Sequence, residues 1–479
     1  MDDVDRPLLH VDPDAAFGGR FARQELEQQL VWKLDKRCSI LVVIYVLNYI
    51  DRNNASAARL NGFERDLHLT DNQFARVLAI LYVGYLVMQI PSNMFLVFMG
   101  RPSVYLPSLN PDMLKLRARG ALSACTGLAT NFFTVMCMRF GIGFFEAAFF
   151  PGALFLLSKW YTRRELSQRM ALLSSGSLIS NAFGSLIASS ILESMDGAFG
   201  FAAWRWLFFL EGGLTVAIAI LAIFILPDFP ESSSAWLSIA EQTLARRRMA
   251  EDAGLEADSL KPNMTAITEG LKSAIWDWQV WWLAIALTFV VMSLSFNAYF
   301  PTLAETMGYG RTLTLLLCAP PWFVATFVAF TNSRHSDQHG ERFWHITWPL
   351  VIGIVGFLLA MATMNAAVRY LSLFFMASSY AGFICFLAWI SGTIRDSSKR
   401  AVSLALINTI SSLGNVLGSF FFPSAWGPRY ATSFSICACA SAIGILLCLV
   451  FRRHLAHLNA EQGRRELEGD EPRGYRYML

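Results

Sequence analysis

Four ionisable residues lie inside two strongly apolar stretches of this sequence. Asp51 and Arg52 stand side by side shortly after the run CSILVVIYVL, and Arg139 and Glu146 are the two charged residues of MRFGIGFFEAAFFPG. An arginine can hold a carboxylate through paired, charge-assisted hydrogen bonds. A buried carboxyl can carry a proton near neutral pH. These residue types therefore point to binding of an organic anion coupled to proton movement.

The surroundings of these residues are those of a membrane protein. The 479 residues are 54% hydrophobic and only 16% charged, whereas soluble domains are about a quarter charged. About 20 mostly apolar residues suffice for a helix to cross a bilayer, and the strand alternation of an outer-membrane barrel is absent. We predict twelve spans, at residues 39–60, 74–98, 105–128, 132–157, 168–192, 204–226, 278–300, 311–331, 344–364, 369–391, 401–422 and 430–451.

The predicted fold class is an all-α membrane protein with two six-helix bundles around a central cavity. A polar, highly charged segment separates the sixth span from the seventh. The expected divisions are an N-terminal tail (1–37), a first bundle (38–228), a central loop (229–277), a second bundle (278–452) and a C-terminal tail (453–479).

The distribution of Lys and Arg among the short loops predicts the orientation. The loops after the second, fourth, eighth and tenth spans hold more of these residues than the loops on the other side. Because such loops stay in the cytoplasm, we expect both termini and the central loop to be cytoplasmic.

The third predicted span departs from the others. Asp112, Lys115, Arg117 and Arg119 crowd its first half, and each would cost about 2.5–3.5 kcal/mol at the centre of a membrane helix. The segment is either a cytoplasmic extension ahead of a shortened span or a foreign insert, for instance from a wrong exon boundary. We prefer the insert.

Asp51 and Arg52 are expected to lie inside the membrane. Thirteen residues separate Cys38 from Asp51, which is about 20 Å of helix in a hydrocarbon core of about 30 Å. Two roles are open for the pair: a structural ion pair that locks the first span, or part of a transport pathway. The polar residues that share one helix face with Arg52 are Tyr45, Asn48, Ser56 and Arg59.

Further polar positions are weaker candidates. Arg139 could instead be a packing residue at the cytoplasmic end of its span. Asn297 could contact substrate where Pro301 interrupts the seventh span, although a simple kink is the alternative. Two stripes could line a cavity or join helices: Ser174, Ser177, Asn181 and Ser185 in the fifth span, and Asn408, Ser411, Asn415 and Ser419 in the eleventh.

The sequence contains no signature of an enzyme, a metal site or a nucleotide site, such as HExxH, a P-loop or a nucleophile elbow. We expect no enzymatic activity, no cofactor other than protons as the coupling ion, and no nucleic acid as partner. The expected partners are a small organic anion and the lipid bilayer, and the expected state is a monomer.

Several motifs resemble the fungal allantoate permease branch of the major facilitator superfamily, within its anion:cation symporters. The resemblance covers about residues 30–450, and its third span is the departure from the pattern. The motifs are KLDKRCSILVVIYVLNYIDRNN, GRPSVYLP, RFGIGFFEAAFFPGALFLLSKWYTRREL, SGSLISNAFGSLIA, WRWLFFLEG, LPDFP and INTISSLGNVLGSFFFP.

The resemblance implies a plasma-membrane symporter that imports a small carboxylate, such as nicotinate or a related vitamin or nitrogen compound, by alternating access. It also implies substrate binding at Arg52 and proton coupling at Asp51 and Glu146. The expected substrate-contacting residues are Arg52, Arg139, Tyr45, Asn48, Asn181, Asn297, Asn408 and Asn415. The alternative is a non-transporting sensor or an inactive relative, because the third span is interrupted.

Overall fold

The computed structural model describes residues 19–98, 111–227, 236–253, 270, 272–394, 397–467 and 477–479, and these residues form helices joined by short loops. The first half of the chain contributes α1 (Arg20–Arg59), α2 (Phe63–Asp66), α3 (Asp71–Phe98), α4 (Pro111–Thr126), α5 (Phe132–Glu146), α6 (Phe149–Trp160), α7 (Arg163–Ser194) and α8 (Ala203–Ile225).

After the central-loop helix α9 (Ile239–Ala253), the second half repeats this plan. Its helices are α10 (Trp278–Ser293), α11 (Phe300–Glu305), α12 (Arg311–His339), α13 (Phe343–Ala362), α14 (Ala366–Ser378), α15 (Tyr380–Thr393), α16 (Ser397–Ser411), α17 (Leu413–Gly418) and α18 (Ala431–Leu467), with 3₁₀ turns at Ala198–Gly200, Leu294–Tyr299 and Ser424–Trp426.

Each of the twelve predicted spans corresponds to one helix or to two consecutive helices, which confirms the fold class of two six-helix bundles. The fourth span is α5 followed by α6, and the seventh is α10, a 3₁₀ turn and α11. The seventh span breaks just before Pro301, as predicted, because proline is accepted in the first turn of a helix but not in its interior. By length and hydropathy alone, seven of the described helices could cross a membrane.

Helix α1 begins well before the predicted span, at Arg20, so part of the expected N-terminal tail is helical. Leu30 and Leu34 on this extension are buried against α6 and α9. Lys33 Nζ donates a hydrogen bond of 2.6 Å to Glu241 on α9. Burial opposes ionisation of the Glu241 carboxyl, but the hydrogen bonds from Lys33 and Ser238 outweigh burial and lower its pKa. The central loop is therefore anchored to the first bundle.

Close helix crossings in the first bundle depend on glycine. A Cβ on Gly143 of α5 would overlap the backbone carbonyl of Leu81 on α3. A Cβ on Gly212 of α8 would lie 2.7 Å from the carbonyl oxygen of Gly120 on α4. Such approaches are typical of small residues at membrane helix contacts. The two crossings help to place Glu146 of α5 and Glu211 of α8 close to α1.

The two bundles are joined at the end where α1 terminates, which we call the distal end. Ser424 Oγ donates to Asp71 Oδ1 over 2.6 Å, and Arg59 donates to both residues. Ser56 Oγ donates to the carbonyl of Ala298, and Ser189 Oγ donates to the carbonyl of Thr312 at 3.1 Å. These contacts link the bundles across the distal side.

Candidate functional site

The adjacent residues Asp51 and Arg52 point into different surroundings, because successive residues on a helix are about 100° apart. The Asp51 side chain is 1% exposed and lies inside the first bundle. Ser123 of α4 donates to its Oδ1 at 3.1 Å, and Thr215 of α8 donates to its Oδ2 at 3.2 Å. Three helices therefore meet at this carboxylate.

The Arg52 side chain is directed toward α3 and α5. It donates a hydrogen bond to Oε1 of Glu146. Its guanidinium carbon also lies 4.6 Å from the ring centre of Tyr49, 5.5 Å from that of Tyr82 and 5.6 Å from that of Tyr85. Aromatic faces stabilise a cation without neutralising it, so Arg52 is held in place by groups that do not compete for its charge, apart from Glu146.

Arg119 is part of this site, and its position corrects the interpretation of the third span. Its Nη2 lies 3.8 Å from Oδ2 of Asp51 and 3.5 Å from Oε2 of Glu146, and it donates to the carbonyl of Asn48 at 2.5 Å. The side chain is 1% exposed. From the sequence alone this charge indicates a foreign insert, but two buried carboxylates compensate it in the structure.

The helix around Arg119 is continuous from Pro111 to Thr126 and packs against α5 and α8. This arrangement favours a shortened third span over a foreign insert. The side chains of Asp112 and Lys115 lie outside the described residues. The sequence signal available for Arg119 was its position directly before Gly120 and the apolar second half of the span, with acids inside the first and fourth spans as possible partners.

Arg139 is 1% exposed, but it does not pair with a carboxylate through a described hydrogen bond. Its Nη1 donates to the carbonyl oxygens of Asp51, at 3.4 Å, and Arg52, at 3.2 Å. Arg139 therefore fixes the α1 backbone at the level of the site. This contact supports a packing role, although in the middle of the bundle and not at the end of a span.

Glu211 is a buried acid that the sequence reasoning missed as a site residue. It lies in the motif WRWLFFLEG and is 3% exposed. Asn54 of α1 is close enough to interact with it, but neither carboxylate oxygen has a complete hydrogen bond among the described residues. A lone acid within an apolar span was the signal available in the sequence.

The other predicted residues divide into those near Arg52 and those in helix contacts. The Tyr45 hydroxyl is 3.4 Å from that of Tyr49, so Tyr45 belongs to the aromatic surroundings of the site. Asn48 is buried beside Arg119. Asn53 donates to Asn181 at 2.6 Å, so Asn181 joins α1 to α7.

Two predicted residues of the second bundle contact tyrosines of the site. Asn408 interacts with the hydroxyl of Tyr85, and Asn297 interacts with that of Tyr380. Asn415 lies on α17, where its carbonyl accepts hydrogen bonds from Ser419 and its N–H donates to the carbonyl of Ser412. The serine stripes mostly bond to their own helices, as at Ser177 and Ser185.

A membrane protein with two six-helix bundles and a buried charged cluster in one of them is organised as a membrane transporter. Residues 41–419 match the Major Facilitator Superfamily. The chain belongs to that family and is a multi-pass membrane protein.

Individual proteins agree with this assignment. The chain is 28% identical to the MFS transporter prlL of a fungal species (strain NRRL 50135), over 91% of this chain and 88% of prlL. It is 29% identical to a proposed tartrate transporter of Agrobacterium vitis, over 84% of this chain and 88% of that protein. The partially occluded inward-open structure of the xylose transporter XylE from E. coli has the same fold, with a TM-score of 0.67, 14% identity, and coverage of 88% of this chain and 98% of XylE.

Proposed function

We propose that this transporter imports a small organic anion together with protons. The observation that supports this most strongly is the pair formed by Arg52 and Glu146. Arg52 is also stacked among tyrosines that leave its charge available. A cation held by one titratable acid is suited to exchange that acid for the carboxylate of a substrate.

Protonation of Glu146 is the proposed step that releases Arg52. A neutral carboxyl no longer attracts the guanidinium as an anion does, so Arg52 becomes free for the substrate carboxylate. Arg119 remains beside Glu146 and Asp51, and it favours the return of Glu146 to its anionic form. Substrate and proton would thereby be bound together and released together.

Alternating access requires the distal contacts to break. In the present arrangement Asp71, Ser424 and Arg59 hold the two bundles together on that side. We propose that the bundles rock about the central site and that these contacts open when the site faces the distal side. With cytoplasmic termini and a plasma-membrane location, the distal side would be the outside of the cell.

The proposed substrate class is a small carboxylate. The relative named for tartrate supports this class, and the resemblance to allantoate permeases favours nicotinate or a related vitamin or nitrogen compound. One proton moved with a monoanion transfers no net charge. A second proton would add about 2.3 kcal/mol per 100 mV of membrane potential.

The alternative of a sensor or an inactive relative depended on an interrupted third span. Within residues 111–126, the continuous helix α4 and the compensated charge of Arg119 weaken the argument for this alternative.

Uptake of labelled carboxylates tests the proposal. The chain would be produced in a fungal host that lacks its own permeases, with surface localisation confirmed, and assayed at acidic and neutral pH with and without a protonophore. We expect accumulation at acidic pH that the protonophore abolishes. Accumulation that is unaffected by pH and by the protonophore would contradict proton coupling. If surface-localised protein takes up none of the carboxylates, the proposed substrate class is wrong.

A further inference from the structure

We propose that Glu211 is a second proton-carrying residue of this site, which exchanges its proton with Asp51 during the transport cycle. The inference rests on the proposed function and adds a residue to it. Glu211 is 3% exposed and directly precedes Gly212, where α8 crosses α4 closely.

Glu211 and Asp51 lie close enough to interact electrostatically. Asn54, three residues after Asp51 on α1, interacts with Glu211. Thr215, one turn beyond Glu211 on α8, donates to Asp51 at 3.2 Å. A polar side chain therefore lies beside each acid, and the Thr215 hydroxyl can accept one hydrogen bond while it donates another.

Among the described residues, no arginine of the site forms an ion pair with Glu211. Arg119 of α4 lies beside Asp51 and Glu146, and Arg52 of α1 pairs with Glu146. The guanidinium carbon of Arg139 lies 5.5 Å from the Phe208 ring of α8, but its described hydrogen bonds go to the α1 backbone. The membrane part of α7, residues 170–192, has no ionisable side chain of Asp, Glu, Lys, Arg or His. A carboxyl buried without a cation is more stable in its neutral, protonated form. Glu211 therefore holds a proton while Asp51 is ionised.

Charge balance agrees with this assignment. The site contains three arginines (Arg52, Arg119 and Arg139) and three acids (Asp51, Glu146 and Glu211). If Glu211 is protonated and the other two acids are ionised, one positive charge remains in the resting site, before Glu146 is protonated, and this charge attracts an anion. In the proposed step, the carboxyl of Glu211 gives its proton to the carboxylate of Asp51, so the total charge of the pair is unchanged.

Reconstituted full-length protein can test the proposal through the number of protons moved per anion. The variant Glu211→Gln keeps the shape and cannot release a proton. We expect it to retain exchange of labelled for unlabelled substrate but to move about one proton fewer per anion. The ratio of internal to external substrate that Glu211→Gln reaches should be about tenfold lower than in the wild type for each unit of pH difference across the membrane. Glu193→Gln, an exposed acid at the end of α7, is the matched control.

An unchanged proton-to-anion ratio in Glu211→Gln would overturn the inference while leaving the proposed function intact. A wild-type protein without any proton movement would overturn both. If Glu211→Gln does not fold, infrared spectroscopy of Glu211→Asp beside the wild type decides the matter. A protonated-carboxyl band that shifts in the variant supports the inference, and a band that does not shift overturns it.

Discussion

Nη2 of Arg119 lies 3.5 Å from Oε2 of Glu146, while the other oxygen of the same carboxylate accepts a hydrogen bond from Arg52. Glu146 therefore lies between an arginine of α4 and an arginine of α1. One of the two is buried among polar groups of the first bundle, and the other is surrounded by tyrosine rings. This difference supports the proposed binding role of Arg52 and indicates that Arg119 stabilises the bundle.

Replacement of Arg119 by leucine should destabilise the protein. The change leaves Asp51 without its ion-pair partner and leaves Glu146 paired with Arg52 alone, and loss of one partner from a buried ion pair typically costs about 3–5 kcal/mol. We expect a clear fall in the melting temperature of the detergent-solubilised protein, measured by size-exclusion chromatography after heating. Arg117→Leu on the same helix should have a much smaller effect. Equal stability of Arg119→Leu and wild type would show that the pairing is unimportant.

Replacement of Arg52 by lysine should abolish saturable uptake at ordinary substrate concentrations. Lysine keeps the charge but lacks the planar fork that binds a carboxylate with two hydrogen bonds. Loss of one charge-assisted bond, about 1.5–3 kcal/mol, corresponds to roughly tenfold to hundredfold weaker binding. Direct binding of labelled substrate to purified protein is the measurement, and unchanged affinity would remove Arg52 from the site.

Replacement of Glu146 by glutamine should separate binding from coupling. The neutral amide imitates the protonated acid, so Arg52 is released permanently. We expect substrate exchange to persist and accumulation driven by a pH gradient to disappear, both measured by uptake into proteoliposomes. Normal accumulation in this variant would exclude Glu146 as a coupling residue.

Gly143 should tolerate no side chain. A Cβ there would overlap the Leu81 carbonyl and lie 3.1 Å from the backbone nitrogen of Tyr85, so α5 would have to move away from α3 and displace Glu146. We expect Gly143→Ala to reduce uptake strongly at equal surface abundance. The control is Gly213→Ala, where nothing lies within 4 Å of the added atom. Similar uptake by both variants would argue against the close crossing.

The distal contact between Asp71 and Ser424 predicts a cross-link. With Asp71→Cys and Ser424→Cys combined in a background without the other cysteines, a mild oxidant should form a disulfide, because the side-chain oxygens are now 2.6 Å apart. The disulfide should block uptake, and a reductant should restore it. The measurement is uptake before and after each treatment, with the two single variants as controls. Full uptake by the cross-linked protein would contradict opening on this side.

The fold could be predicted from hydropathy because most spans are long and apolar and are separated by loops with turn residues. The helical breaks near Ala147 and Tyr299 both precede a proline, because Pro151 lies in the first turn of α6 and Pro301 lies in the first turn of α11. The extension of α1 to Arg20 was not predicted, because its apolar residues face a loop helix whose position the sequence does not specify.

The candidate site was predicted in part. Asp51, Arg52 and Glu146 were found because charges in apolar spans are conspicuous. Arg119 was misinterpreted because the cost of a buried charge depends on its partners, and those partners lie on other helices. The contacts of Asn181 with Asn53 and of Asn408 with Tyr85 likewise depend on how helices meet. Spacing along one helix shows which face a residue occupies but not what that face contacts.

Proton movement driven by substrate alone tests the central claim most directly. The purified protein would be placed in liposomes that contain a pH-sensitive dye, with no initial pH gradient, and a candidate carboxylate would be added outside. The account predicts acidification of the interior that depends on the substrate and is absent in Glu146→Gln. Entry of labelled substrate without any change of internal pH would contradict it.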